Sequence, residues 1–204
     1  MASGHTAIDA AAYERLMGRW SRHFAGPLID FADLAAGDRV PDVACGTGSL
    51  ALALAARPEP AAIVGVDIAA PCIAYAAAGV TDEPRLSFRV GDATALDPAA
   101  DQARARHFSS PLTRPGELVA TLGAAGVAEV HETSLTIRMD YADFADYWEP
   151  IADAQGPVGD YVKSLVLAAI DRLRAAVRGA YLAGAPDRPR SLAATAWAAR
   201  GIVP

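Results

Sequence analysis

The chain has 204 residues, of which 52% are hydrophobic and 21% charged, a make-up that excludes a disordered protein and suits one globular domain with a sizeable core. A formal net charge of -6 and a pI near 5.1 argue against a nucleic-acid-binding surface, which is usually basic. Cys45 and Cys72 are too few for a disulfide framework, no charge-free apolar stretch reaches membrane-spanning length, and no secretory leader is visible at the N-terminus, so a cytoplasmic, reduced protein is expected, with no membrane partner.

In chain order, residues 7–17 are alanine-rich with Tyr13, Leu16 and Met17 on helical spacing, and a second helical piece is expected over 27–34. Gly37-Asp38-Arg39 turns the chain into a first strand that ends in Val40-Pro41-Asp42-Val43-Ala44-Cys45-Gly46-Thr47-Gly48. Pro41 is unusual there, because it removes a ladder donor. A helical pattern over 50–56 follows at once, so strand, glycine turn and helix offer bare backbone to a nucleotide-like ligand.

The turn is not a phosphate loop, since no lysine follows the glycines, and it lacks the third glycine of the dinucleotide fingerprint. Asp42 would repel a pyrophosphate and suits a cationic group such as an α-amino group. Residues 61–67 read as a buried parallel strand ending in Asp67, which lies 19 residues past Gly48. That spacing favours a carboxylate that grips ribose hydroxyls; the lesser reading, an aspartate that caps the helix expected over 69–78, does not exclude that role. A third strand over 85–90, placed at the sheet edge, runs into Gly91-Asp92-Ala93. Three strand ends thus deliver Asp42, Asp67 and Asp92 to one carboxyl edge.

The pattern Asp42-Val43-Ala44-Cys45-Gly46-Thr47-Gly48 resembles the first motif of the class I S-adenosylmethionine-dependent methyltransferases, and Tyr13-Glu14-Arg15-Leu16-Met17-Gly18-Arg19-Trp20-Ser21 is similar to the N-terminal lid of their small-molecule members. The resemblance implies an α/β fold: a Rossmann-like, mostly parallel sheet with helices on both faces and an antiparallel closing hairpin. It implies S-adenosyl-L-methionine as cofactor, held by Trp20, Asp42, Ala44, Gly46, Gly48, Asp67, Ile68, Asp92 and Ala93. In it Asp67 takes the ribose, Asp92 the adenine amino group, Ala93 a backbone contact, and Trp20 either stands near the sulfonium or anchors the first helices in the core. The partner implied is a small-molecule acceptor, with a homodimer as the candidate assembly. A single domain is expected, with a helical lid over 1–36, a cofactor-binding half over 37–96 and a C-terminal half over 114–204.

The resemblance breaks after Asp92. The family sheet needs two more strand–helix units, roughly 30 residues each, yet residues 97–114 hold no apolar run, and a helix with a glycine stop follows over 117–126. The absent block joins near Ala95-Leu96-Asp97, and an internal deletion, an omitted segment and a naturally shortened variant all remain open. If the block is absent, the last strand could pair with the first in a five-stranded sheet.

Strands are expected over 128–139 and 191–200, the second carrying Trp197, with an aromatic helix over 141–148 and a longer one over 161–177. The aromatic helix either walls a substrate pocket or packs in the core. His5, His23, His107 and His131 stand at no metal-ligand spacing, no hydrolase elbow is present, and no catalytic base can be named. The reading is methyl transfer to a small molecule, with a non-catalytic cofactor-binding remnant as the rival and a nicotinamide-dependent dehydrogenase disfavoured by the turn.

Overall fold

The computed structural model describes residues 9–91, 114–153 and 157–204. Asp92, Ala93, the join at residues 95–97 and His107 lie outside the described residues. The helical lid opens at Asp9, whose carboxylate accepts the N–H groups of Ala11 and Ala12 at 2.9 and 3.0 Å and so caps α1 (Ala10–Tyr13). A π-helical turn over Glu14–Gly18 carries α1 directly into α2 (Arg19–Ala32). The two helical pieces expected from sequence are therefore one continuous run, because Gly18 and Arg19 keep right-handed helical dihedrals instead of turning the chain.

Three strands, β1 (Arg39–Val43), β2 (Ala62–Asp67) and β3 (Leu86–Val90), form a parallel sheet with β2 in the centre. The register pairs Asp42 with Gly65 and Asp67 with Val90, so all three strands end on one edge. Pro41 pairs with Val64 in a strand that is an outer one among the described residues, where a missing donor is tolerated. The crossovers are α3 (Ser49–Ala55) and α4 (Ala70–Ala78). Ile29 of α2, Ala51 and Leu54 of α3, Ile63 and Leu86 make one buried cluster between these helices and the sheet. Pro41, Val43, Ser87 and Arg89, which alternate onto the opposite face, are exposed.

Far from the glycine turn, Arg85 holds the base of the sheet. Its guanidinium donates to the carbonyls of Ala55, Arg57 and Pro60 at 2.7, 2.9 and 3.1 Å, and it pairs with Glu83. A cation on the last carbonyls of α3 also complements the helix dipole.

The C-terminal half is α5 (Glu117–Ala124), β4 (Ala128–Tyr141), α6 (Phe144–Ala152), α7 (Pro157–Ser164), α8 (Leu167–Leu182) and β5 (Arg190–Ile202). β4 and β5 pair antiparallel in a sheet of their own, Ile137 opposite Ala194 and Tyr141 opposite Arg190. The five-stranded sheet considered from sequence does not form: β5 ladders with β4 and not with β1. The hairpin packs on α2 through β4, and α5 packs on the hairpin. Two further expectations shift. Tyr141 closes β4, and the aromatic helix starts only at Phe144, because the Asp143 side chain accepts the Asp146 N–H at 2.9 Å and sets the cap there. The long helix over 161–177 is two, since Val166 is extended with ψ of 150°.

Gly65 lets the Phe88 ring cross the sheet, as a Cβ there would stand 2.4 Å from the ring. Gly65→Ala should lower the free energy of unfolding by about 1–3 kcal/mol through overpacking, read as an earlier urea midpoint at unchanged slope. Gly123, inside α5 with nothing within 4 Å of a Cβ, should respond the other way. Gly123→Ala should gain about 0.5–1 kcal/mol from helix propensity.

Candidate functional site: the glycine turn and an aromatic cavity

The carboxyl edge of the parallel sheet is organised by Asp67. One carboxylate oxygen accepts the Gly46 N–H at 2.8 Å and the other accepts the Ala69 N–H at 2.8 Å. The Ala69 N–H belongs to the residue that precedes α4, so this bond ties the loop ahead of the helix and does not cap it. Each oxygen thus accepts one backbone N–H, and a lone pair on each leaves acceptor capacity for hydroxyls. The turn itself is held by the Cys45 N–H on the Val66 carbonyl at 3.1 Å and the Gly48 N–H on the Cys45 carbonyl at 2.9 Å.

Left-handed backbone at Gly46 (φ 54°) and Gly48 (φ 82°) requires glycine, and Ala44 adopts φ 61° despite its methyl group. A Cβ at Gly46 would lie 2.8 Å from the Tyr13 hydroxyl, so this lid ring rests on the turn. Burial, with Cys72, Asp67, Cys45 and Asp42 nearby, pushes the Tyr13 phenol up, so it stays protonated at neutral pH.

Asp42 is buried beneath the turn and accepts the Ala51 N–H at 3.0 Å near the start of α3. Burial raises its pKa to about 6, against the opposing Ala51 bond and with a smaller push from Asp67. Burial likewise pushes the Cys45 thiol up to about 12, and Cys45 and Cys72 are both free and buried. Neither is a thiolate nucleophile at neutral pH. Among the described residues no group of three or more His, Cys, Asp or Glu is placed to hold a metal ion, and no helix is long and apolar enough to cross a membrane.

The lid is tied to the turn by side chains that sequence reading gave no role. Thr47 Oγ1 donates to Glu14 Oε2 at 2.7 Å, Ser49 Oγ reaches the Gly18 carbonyl at 3.4 Å, and Arg22 pairs with Glu14. Their only sequence signal was proximity to a familiar string; the π-turn that aims Glu14 has no local signature. A cavity of about 210 Å³ runs beside the turn, lined by Tyr13, Phe24, Asp42, Ala44, Cys45 and Thr47 among others. Ile68, just past Asp67, is 53% exposed at the same edge.

Trp20 is placed elsewhere. It lines a second cavity of about 360 Å³ between the lid, β4 and α6, together with Tyr141, Tyr147 and Met139. The ring centres of Trp20 and Tyr141 are 5.2 Å apart, and those of Tyr141 and Tyr147 5.3 Å. The Arg19 guanidinium lies 4.0 Å from the Trp20 ring centre and 5.2 Å from that of Tyr141, while its Nη1 donates to Asp146 at 2.7 Å. Burial opposes ionisation of Asp146, but the Arg19 bond, the Ala142 N–H and the Arg19 charge hold it net below the usual carboxylate range. The aromatic segment divides its duties: Tyr141 and Tyr147 wall the cavity, while Phe144 and Trp148 are buried in the core.

The model of the methyltransferase domain family matches residues 40–122, a span that holds β1, the glycine turn and β2. No curated protein matches the chain. Among solved structures, the YcgJ protein of Bacillus subtilis is similar at 13% identity over 87% of this chain and 97% of that one, with a TM-score of 0.49. A TehB-like SAM-dependent methyltransferase of Corynebacterium glutamicum is 27% identical over 41% of this chain and 47% of that one, TM-score 0.31. A SAM-dependent methyltransferase of Aquifex aeolicus is 16% identical over 42% and 48%, TM-score 0.35. The chain spans less than half the length of the first five structures it matches. Over residues 40–122, less than half of its length, the chain is similar to the methyltransferase domain family.

Proposed function

We propose that this chain holds S-adenosylmethionine against the glycine turn and transfers its methyl group to a small-molecule acceptor. The observation that carries the reading is the Gly46–Asp67 hydrogen bond, which joins the glycine turn to an acid at the next strand end in one rigid unit. In this reading Asp67 accepts the ribose hydroxyls, the backbone at Gly46 lets the ligand lie close while Gly48 makes room for Phe88, and Ile68 offers an apolar surface to the base. Asp42, lining the cavity under the turn, supplies the negative charge for the α-amino group. Asp92 and Ala93, beyond the described residues, complete the proposed set.

The residues fit such a ligand in kind: left-handed glycines, two strand-end carboxylates and a lid. The cavity as it stands is smaller than the roughly 300–1,000 Å³ of typical ligand pockets, and the Tyr13 ring fills the space over Gly46. Binding therefore requires Tyr13 to leave the turn, and the Thr47–Glu14 bond is the contact that must give. The cofactor supplies an already activated methyl group, so the protein's own work is alignment and exclusion of water. The non-catalytic alternative shares every cofactor contact and is favoured by the shortness of the chain between β3 and α5. A cytoplasmic setting and the division into lid, cofactor half and C-terminal half belong to the same reading.

Calorimetric titration with S-adenosylmethionine and S-adenosylhomocysteine tests it, with micromolar binding expected. Asp67→Ala would free two backbone donors and Asp67→Asn only one, since an amide nitrogen cannot accept, so Asp67→Asn is the milder variant. Its affinity should drop about tenfold or more with an unchanged far-UV spectrum, and equal affinity would remove the ribose assignment.

Asp42 gives a pH signature. Its folded pKa lies above that of the unfolded chain, so between about pH 4 and about pH 6 the folded state binds the extra proton. Stability should accordingly fall as pH rises through that window, and Asp42→Asn should flatten this part of the profile. Affinity for the cationic ligand should rise with pH through about 6 as the carboxylate forms, and the variant should lose that rise. A wild-type profile with no rise would place the amino group elsewhere.

A further inference from the structure

The aromatic cavity carries a commitment beyond this reading. Its volume of about 360 Å³ falls inside the range of ligand pockets, and Phe24 lines both this cavity and the one at the glycine turn, so the two adjoin across a single ring. Aromatic cages commonly take cations. Here that role is already filled, because Arg19 stacks on Trp20 and lies over Tyr141. A second cation would meet an occupied ring face and a like charge.

The polar inventory points the same way. Both oxygens of Asp146 are engaged, one by Arg19 and the other by the Ala142 N–H at 3.1 Å. Arg19 Nε and Nη2 are shielded from water without a hydrogen-bond partner, and a guanidinium can only donate. Arg15, on the rim, makes no ion pair among the described residues. Glu149 and Asp153 stand in the adjoining recess that Arg15 also borders, so its contribution is modest.

We infer that this cavity binds a planar aromatic molecule bearing a carboxylate, the ring held among Trp20, Tyr141 and Tyr147 and the carboxylate meeting Arg19 after a small turn of its guanidinium, with Arg15 adding long-range attraction. Resting on the reading above, this molecule is the methyl acceptor, its far end directed past Phe24 to the glycine turn.

The test is calorimetric titration of the full chain with naphthoate and with naphthylmethylammonium, run beside S-adenosylmethionine. Naphthoate should bind and the ammonium compound should not. Arg19→Gln should weaken naphthoate about tenfold or more, and Arg15→Gln about two- to fivefold. If Arg19→Gln fails to fold by circular dichroism, Arg15→Gln decides. A folded wild-type chain that ignores naphthoate, or binds the ammonium compound equally well, overturns the inference, as does an unchanged affinity in Arg15→Gln. S-adenosylmethionine binding without naphthoate binding rejects the acceptor class alone. Naphthoate binding without S-adenosylmethionine binding upholds the cavity and rejects the methyltransferase reading.

Discussion

The carboxylate of Asp67 is the constraint on which the site depends. It sits at the end of the central strand, holds the Gly46 N–H with one oxygen and the Ala69 N–H with the other, and so fixes the glycine turn and the start of α4 relative to one another. Two loops that would otherwise move independently become one surface. The left-handed glycines let the Tyr13 ring rest on Gly46 and the Phe88 ring pack against Gly48, and Cys45 and Gly48 close the turn through backbone bonds. Buried Asp42 then lies under the turn with no cationic partner among the described residues, held by the N–H of Ala51, and the cost of its charge shows as a raised pKa.

Above this floor the lid is fastened by weak, specific contacts. Tyr13 covers Gly46, Glu14 receives the Thr47 hydroxyl, and Ser49 reaches back to the Gly18 carbonyl. A π-turn in the middle of a helix is rare and costly, and such turns recur at functional sites. Here it rotates Glu14 toward the turn while leaving Trp20 to face the hairpin. One helical run thus serves two cavities, with Phe24 as their shared wall. The Arg19–Asp146 pair joins the lid to α6 at the wall of the aromatic cavity.

The local half of this picture was legible from residues alone. The strand, glycine turn, helix and second strand of residues 39–67 follow from apolar runs, glycines and an acid at a set spacing, and each is a short-range pattern. The helix after Gly116 and its glycine stop were also readable. The boundary at Phe144 was not, because one capping bond from Asp143 outweighed the continuous aromatic pattern from Tyr141. The break at Val166 was equally hidden, since nothing in its side chain forbids helix.

What the sequence by itself determined is the class of site: bare glycine backbone flanked by acids at the ends of parallel strands, chemistry that residue type and spacing dictate. Only the tertiary structure decided which partners those groups keep. That Asp67 holds the Gly46 N–H, whether Trp20 faces the turn or the hairpin, whether β5 ladders with β1 or β4, and that Arg19 lies over Tyr141 all depend on contacts between residues far apart in the chain. Spacing along a chain fixes periodicity and turn chemistry; which distant surfaces meet is settled by how helices and hairpin bury their apolar faces together.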